Sequence, residues 1–419
     1  METYVEKDLF EGAKCICCPV KRFKSTRITV RFVLKMNRDK VSAYAALPGL
    51  IRYTSRRYPE TIAMERKLAS LYGAGFSAVA SKAGDLQVLS FTLSTVADKF
   101  AFAGEKISEE CLSFLLDCIL SPDLDENGLF KAQNIAREKR LMIEDIKASQ
   151  SDKMAYSLNR FNELFYEGEG AAVLSTGTVE QVQALTAAQI TSAWHEMLQT
   201  ASIYVCAVGD LDTQAVEQVI CERFAQVQRQ WDKAENVPHK AHKQLVKNHE
   251  VQPLEQCKLT MGFCVGSEDE AALKVMNTIF GRSEMSRLSK VVREKMSLCY
   301  YCSSVYGPKK KVLIVYSGVE SENREKTVHA VLKQLEEIQN GNFSNEEINI
   351  AKRKMIDSYR SSLDTPSDLA QWYLLQMMNE SVKTVGQCIT ETEEVTRERI
   401  VDCAKTVTPD CVYTLGEDV

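Results

Sequence analysis

Between residues 26 and 34 apolar side chains fall at every second position. Ile28, Val30, Phe32 and Leu34 share one face, the period of a half-buried strand. Helical spacing follows over 43–57 and again over 60–72, where Met64, Leu68 and Leu71 lie in line and Gly73 is the stop. Two strand-like runs, 76–81 and 86–95, meet across Lys82-Ala83-Gly84-Asp85, and Leu89, Phe91 and Leu93 alternate in the second. Ser108 is placed to cap a helix with Leu112, Leu115, Leu116 and Ile119 on one side. A long helical region with a polar face runs from about 127 to 166. A strand from Ile203 to Val208, a turn at Gly209-Asp210 and a helix to about 227 close this half.

Residues 228–252 are polar, hold Pro238, and read as a linker. After it the order begins again. Leu259, Met261 and Phe263 alternate in a strand, helices are expected over 268–280 and 284–297, and strands near 298–306 and 311–318 pair across Gly307-Pro308-Lys309. Phe343-Ser344-Asn-Glu-Glu347-Ile348 has the form of a capping box with a hydrophobic staple, opening a long helix. Leu89 recurs as Leu313 and Ile28 as Leu259 at similar offsets. Two homologous α+β domains are therefore expected, 1–227 and 253–419, each an antiparallel sheet covered by helices, joined by the linker 228–252.

Of 419 residues, 45% are hydrophobic and 26% charged, enough for a sizeable core. A net charge of −5 without a basic run argues against nucleic acid. No apolar stretch approaches the ~20 residues of a membrane span, and the N-terminus lacks a secretory pattern, so a cytoplasmic protein is expected. The 14 cysteines are scattered through apolar positions and read as small hydrophobes in a reducing compartment. Cys15-Ile-Cys17-Cys18 and Cys299-Tyr-Tyr-Cys302 lack a second pair at zinc-ribbon spacing. Three of the five histidines, His239, His242 and His249, fall in the linker, where a solvated segment makes a poor metal site. His195 and His329 stand on helical segments with no evident Ser or Cys partner.

The stretch Pro48-Gly-Leu-Ile-Arg52-Tyr-Thr-Ser55-Arg56 resembles Pro-Gly-Leu-x-His-x-x-Glu-His of the pitrilysin/insulinase (inverzincin) metallopeptidases. In that family two histidines hold zinc from one helix face and the glutamate activates water. Arg52 and Arg56 stand in place of the histidines, and Ser55 in place of the glutamate. A guanidinium offers a metal no lone pair. Glu138-Lys-Arg-Leu-Met-Ile-Glu144-Asp145-Ile146 is similar to the stretch bearing the third zinc ligand and puts Asp145 at that position. Glu144 or Asp145 could pair with Arg52 or Arg56, or lie on a solvated helix face.

Further along, Phe280-Gly281 through Arg287-Leu288, then Val292-Arg293-Glu294-Lys295 through Tyr300, resembles the family's Gly-Gly-x-Met-Ser-Ser-Arg-Leu and Arg-Glu-Lys-Arg-Gly-Leu-Ala-Tyr stretch. The resemblance implies that Arg293 holds substrate backbone and that Tyr300 stabilises an oxyanion. It covers nearly the whole chain and is nearest to the short bacterial two-chain peptidases. It implies a non-zinc subunit of a heterodimeric zinc endopeptidase, supplying Arg293 and Tyr300 in trans to peptide hydrolysis and inactive alone. The implied partner is a zinc-bearing paralogous subunit, with a homodimer in isolation as the other option, and the substrate is a peptide. No cofactor or metal is expected in this chain, zinc being the partner's. The alternative is a non-enzymatic structural or peptide-binding homologue.

Overall fold

The computed structural model describes residues 4–418, the side chain of Ala103 excepted. Residues 1–3, part of the stretch in which no secretory pattern was read, lie outside the described residues. By packing, the chain sorts into two compact units that interleave along the sequence. The first holds residues 1–148, 173–235 and 362–382, the second 149–172, 236–361 and 383–419. A contiguous division at the linker differs from this in the placement of 149–172 and 362–382. Each unit is α+β.

The first unit is built on a six-stranded sheet: β1 (Val5–Phe10), β2 (Ala13–Pro19), β3 (Ser25–Lys35), β4 (Gly75–Ala83), β5 (Leu86–Val96) and β6 (Ser202–Gly209), in the order β1-β2-β6-β3-β5-β4. Its pairs are antiparallel except β2 with β6. Ile28, Val30, Phe32 and Leu34 face the main core, as their alternation predicts, with helices Val41–Tyr53, Ile107–Leu120, Ala187–Thr200 and Thr213–Phe224 contributing its other side. The opposite face is not solvated. Ile16, Cys18, Cys206 and Val208 are covered by Leu369, Tyr373 and Leu374 of helix Pro366–Met378, drawn from far along the chain.

The second unit carries β7 (Val246–Val251), β8 (Cys257–Val265), β9 (Cys299–Gly307), β10 (Val312–Val319) and β11 (Val407–Gly416), in the order β7-β11-β8-β10-β9, antiparallel except β7 with β11. Leu259, Met261 and Phe263 enter its main core. Its other face is packed by Phe161 and Phe165 of helix Lys153–Phe165. Gly262 permits that approach, because a Cβ there would stand 2.6 Å from the Phe165 ring.

Several local expectations are sharpened. Ser344 and Glu347 make the reciprocal capping box, Glu347 N donating to Ser344 Oγ (3.1 Å) and Ser344 N to Glu347 Oε2 (2.7 Å). The residue before the helix at Ser108 is Lys106, and the Ser108 hydroxyl donates to Asp98 (2.7 Å) instead of capping. The long region 127–166 is two helices, Ala132–Ser151 and Lys153–Phe165, the second capped by Asp152. The linker ends in a strand, β7, hidden from the sequence because its side chains are polar and half-exposed. Among the described residues no helix is long and apolar enough to cross a membrane.

Leu374 is 1% exposed. Leu374→Ala should cost about 2–5 kcal/mol by cavity formation and speed amide exchange in β2 and β6, read by urea unfolding and hydrogen exchange. Unchanged stability would mean that helix Pro366–Met378 does not close this face.

Candidate functional site

Helix Val41–Tyr53 carries Arg52 in its last turn and stops short of position 57, because Thr54 turns extended (φ −146°, ψ 148°). Ser55 N donates to the Tyr58 carbonyl (2.9 Å), Tyr58 N returns the bond to Ser55 (3.0 Å), and Arg56 N donates to Ser121 (2.9 Å). Positions 52 and 56 therefore do not share a helix face, which the family's zinc grip needs. The Arg52 guanidinium donates to the Phe76 carbonyl and to Glu65 (3.2 Å) and stands over the Tyr53 and Phe76 rings. Ser55 is buried and Arg56 exposed. Asp145 and Glu144 are exposed on helix Ala132–Ser151, with Glu144 paired to Arg140 at 3.6 Å. The ion pairs given to Arg52 and Glu144 are thus with Glu65 and Arg140.

The buried carboxylate beside this motif is Glu138, which the family comparison of residues did not single out. Its oxygens lie where a Cβ on Gly49 would stand, 2.1 Å away. Neighbouring Arg137 lies over the Tyr53 ring at 4.5 Å. Burial pushes the Glu138 carboxyl up to about 7, Arg137 opposes this, and the Asp145 charge adds to it.

Arg293 lies in a π-helical stretch, Leu288–Lys295, and pairs with Glu294 at 2.7 Å. Tyr300 follows on β9. There Cys299 pairs with Val319 and Tyr301 with Gly318, so Tyr300 is the extra residue of a β-bulge. The bulge leaves its ring 60% exposed, with the hydroxyl donating to Glu320 (3.1 Å). That hydrogen bond raises the phenol's pKa. Beside it, hydrogen bonds from Cys302 and Ser317 and the charge of Arg293 bring the Cys299 thiol down to about 7, against burial.

A third cluster corrects the sequence reading. The expectation that this chain offers no metal site fails at His239, Cys264 and Asp410, whose donor atoms all lie within 4.8 Å of one another. The linker looked solvated by composition, yet the His239 side chain is 1% exposed. Its backbone N donates to the Lys310 carbonyl (2.8 Å) and its ring packs on Phe165 with centroids 4.2 Å apart. Nδ1 meets Glu169 Oε1 at 2.6 Å and Nε2 meets Asp410 Oδ2 at 3.1 Å. His242 Nδ1 reaches the same oxygen at 2.6 Å. His249 is elsewhere, against Thr414. Burial opposes the Asp410 charge, but hydrogen bonds from His242 and His239 outweigh it and hold the carboxyl below its ordinary range. Burial and the nearby Asp410 push the Cys264 thiol up to about 12. The His-x-x-His spacing was visible in the sequence. Glu169, Cys264 and Asp410 carried no local signal, since strand pairing and a second bulge, at Asp410 between the Pro409 and Cys411 pairings, bring them in.

Glu138 generates a pH prediction. The folded chain keeps a proton there that the unfolded chain releases near pH 4.3. Stability therefore declines as pH rises to about 7 and levels off above. The loss is on the order of 3 kcal/mol at ~1.4 kcal/mol for each pH unit. Glu138→Gln should match wild type in urea unfolding at pH 4 and exceed it at pH 8. A variant that gains nothing between those pH values would contradict this account of the buried carboxyl.

Residues 184–355 match the family described as "Peptidase M16 inactive domain". "Probable inactive metalloprotease YmfF" of Bacillus subtilis is 28% identical over 399 residues, 94% of this chain and 93% of that protein. "Uncharacterized zinc protease YmxG" of the same organism is 22% identical over 76% of this chain and 77% of its own length. A conserved protein from Enterococcus faecalis has the same fold, with a TM-score of 0.89 over 99% of both chains at 24% identity. These matches and the residues at Arg52, Ser55 and Arg56 agree: over nearly its whole length the chain is similar to inactive metallopeptidase homologues of the M16 (pitrilysin/insulinase) type.

Proposed function

We propose that this chain is a non-hydrolytic, peptide-binding homologue of the M16 peptidases. The observation that carries the reading is the state of the family's zinc motif. Both imidazoles are replaced by guanidiniums, one of them committed to Phe76 and Glu65, on a helix that ends between the two positions. Nothing there can polarise water or a peptide carbonyl in the manner of a bound zinc. Peptide contact falls to Arg293 and Tyr300. The guanidinium presents fixed donors to backbone carbonyls, and the exposed phenol donates one more when its hydroxyl turns from Glu320 to the peptide. Strand β9, which carries Tyr300 and the exposed Val305, is at an edge of its sheet, where an extended segment adds by backbone hydrogen bonds. All 14 cysteines are free, which fits work in a reducing compartment.

A second reading is favoured by the bulge. It holds the Tyr300 hydroxyl out from the sheet, the placement needed to act in trans on a peptide held by a zinc-bearing relative. Such a partner would bring the zinc, the two chains forming a heterodimer.

One set of measurements separates the two. Labelled extended peptides should bind the isolated chain, and Arg293→Ala and Tyr300→Phe should each weaken binding about tenfold, the equivalent of ~1.4 kcal/mol. Wild-type binding in both variants would remove the assignment. Mixing the chain with a zinc-bearing M16 relative then distinguishes the readings. Turnover that requires both chains and collapses in Tyr300→Phe supports the trans-acting role. Turnover indifferent to this chain leaves the peptide-binding reading.

A further inference from the structure

We propose that His239, Cys264 and Asp410 form a zinc-class metal site in the second unit, built from residues other than the family's motif, whose ion ties the coil after residue 236 to the sheet. The donor set points to the metal. One imidazole nitrogen, one sulfur and one carboxylate oxygen suit zinc and its surrogate cobalt, whereas calcium and magnesium take oxygen alone.

The spacing fits as well. Two nitrogen or oxygen donors bound to a tetrahedral ion at 2.0–2.1 Å lie about 3.3 Å apart. His239 Nε2 and Asp410 Oδ2 are 3.1 Å apart. Cys264 Sγ is within 4.8 Å of both, so bringing the three onto one ion takes a closure on the order of 1 Å. His242 Nδ1, 2.6 Å from the same carboxylate oxygen, is placed to compete for or complete the fourth position.

The surroundings carry the argument further than the donors alone. Metal-bound histidines usually donate their second ring nitrogen to a carboxylate, which fixes the tautomer and turns the other nitrogen toward the ion. Here His239 Nδ1 faces Glu169 at 2.6 Å, and Glu169 is braced by the Lys310 ammonium and by the Lys240 backbone N at 3.1 Å. A bulge in β11 supplies Asp410, β8 supplies Cys264, and the Phe165 ring supports the imidazole. With an ion in place, one carboxylate and one thiolate balance its two charges, and Lys310 balances Glu169.

The test uses the full-length, tag-free chain, stripped with a chelator and titrated with Co²⁺. One cobalt per chain should bind, with a near-ultraviolet thiolate-to-cobalt charge-transfer band that Zn²⁺ bleaches. Cys264→Ser should lose the band while keeping the far-ultraviolet circular dichroism of wild type. Glu169→Gln should keep the band and weaken affinity about 10–100-fold. His329→Ala, an exposed histidine elsewhere, should change nothing. Zinc should raise the thermal midpoint of wild type and leave that of Cys264→Ser unmoved. Absence of the band in wild type would overturn the proposal, a readout that needs no variant to fold. So would a band that survives Cys264→Ser, which would assign the ion to another thiol. This inference does not depend on peptide binding, and its failure would leave that reading intact.

Discussion

A metal ion is held only where several lone pairs converge, and that requirement separates two regions of this chain. At Arg52 and Arg56 the side chains have no lone pair to give, and the helix that would align them ends at Tyr53. The guanidinium of Arg52 is used as a donor, closing on a backbone carbonyl and a glutamate. At His239, Cys264 and Asp410 three lone-pair donors lie within one small sphere. What an M16-type scaffold needs for hydrolysis is missing at its usual place, and a different convergence has been built in the second unit.

Both sites proposed in the second unit depend on β-bulges. An extra residue in β9 puts Tyr300 into solvent, and an extra residue in β11 supplies Asp410, 4% exposed, to His239 and His242. A bulge re-aims one side chain by breaking the ladder locally, and pairing resumes on either side with a shifted register. The sheet can therefore keep its core of Leu259, Met261 and Phe263 while its margins carry polar chemistry.

The repeated α+β plan was legible in the sequence because alternation is strong where one face of a strand meets the main core, as at Ile28–Leu34 and Leu259–Phe263. The second faces were harder to read. They are covered by helices Pro366–Met378 and Lys153–Phe165, which lie far in sequence from the strands they cover. Strand β7 was hidden by its polar side chains, and the linker looked solvated for the same reason. The want of lone-pair donors at Arg52 and Arg56 was visible, since it rests on residue type. The cluster at His239 was not, since two of its three donors come from strands brought alongside by pairing, and the burial of a polar coil depends on what packs over it.

The most direct measurement is anomalous diffraction at the zinc edge from crystals equilibrated with zinc. The account predicts a peak among His239, Cys264 and Asp410 and none between Arg52 and Arg56. A peak held by the residues around Arg52, Ser55 and Arg56 would contradict it.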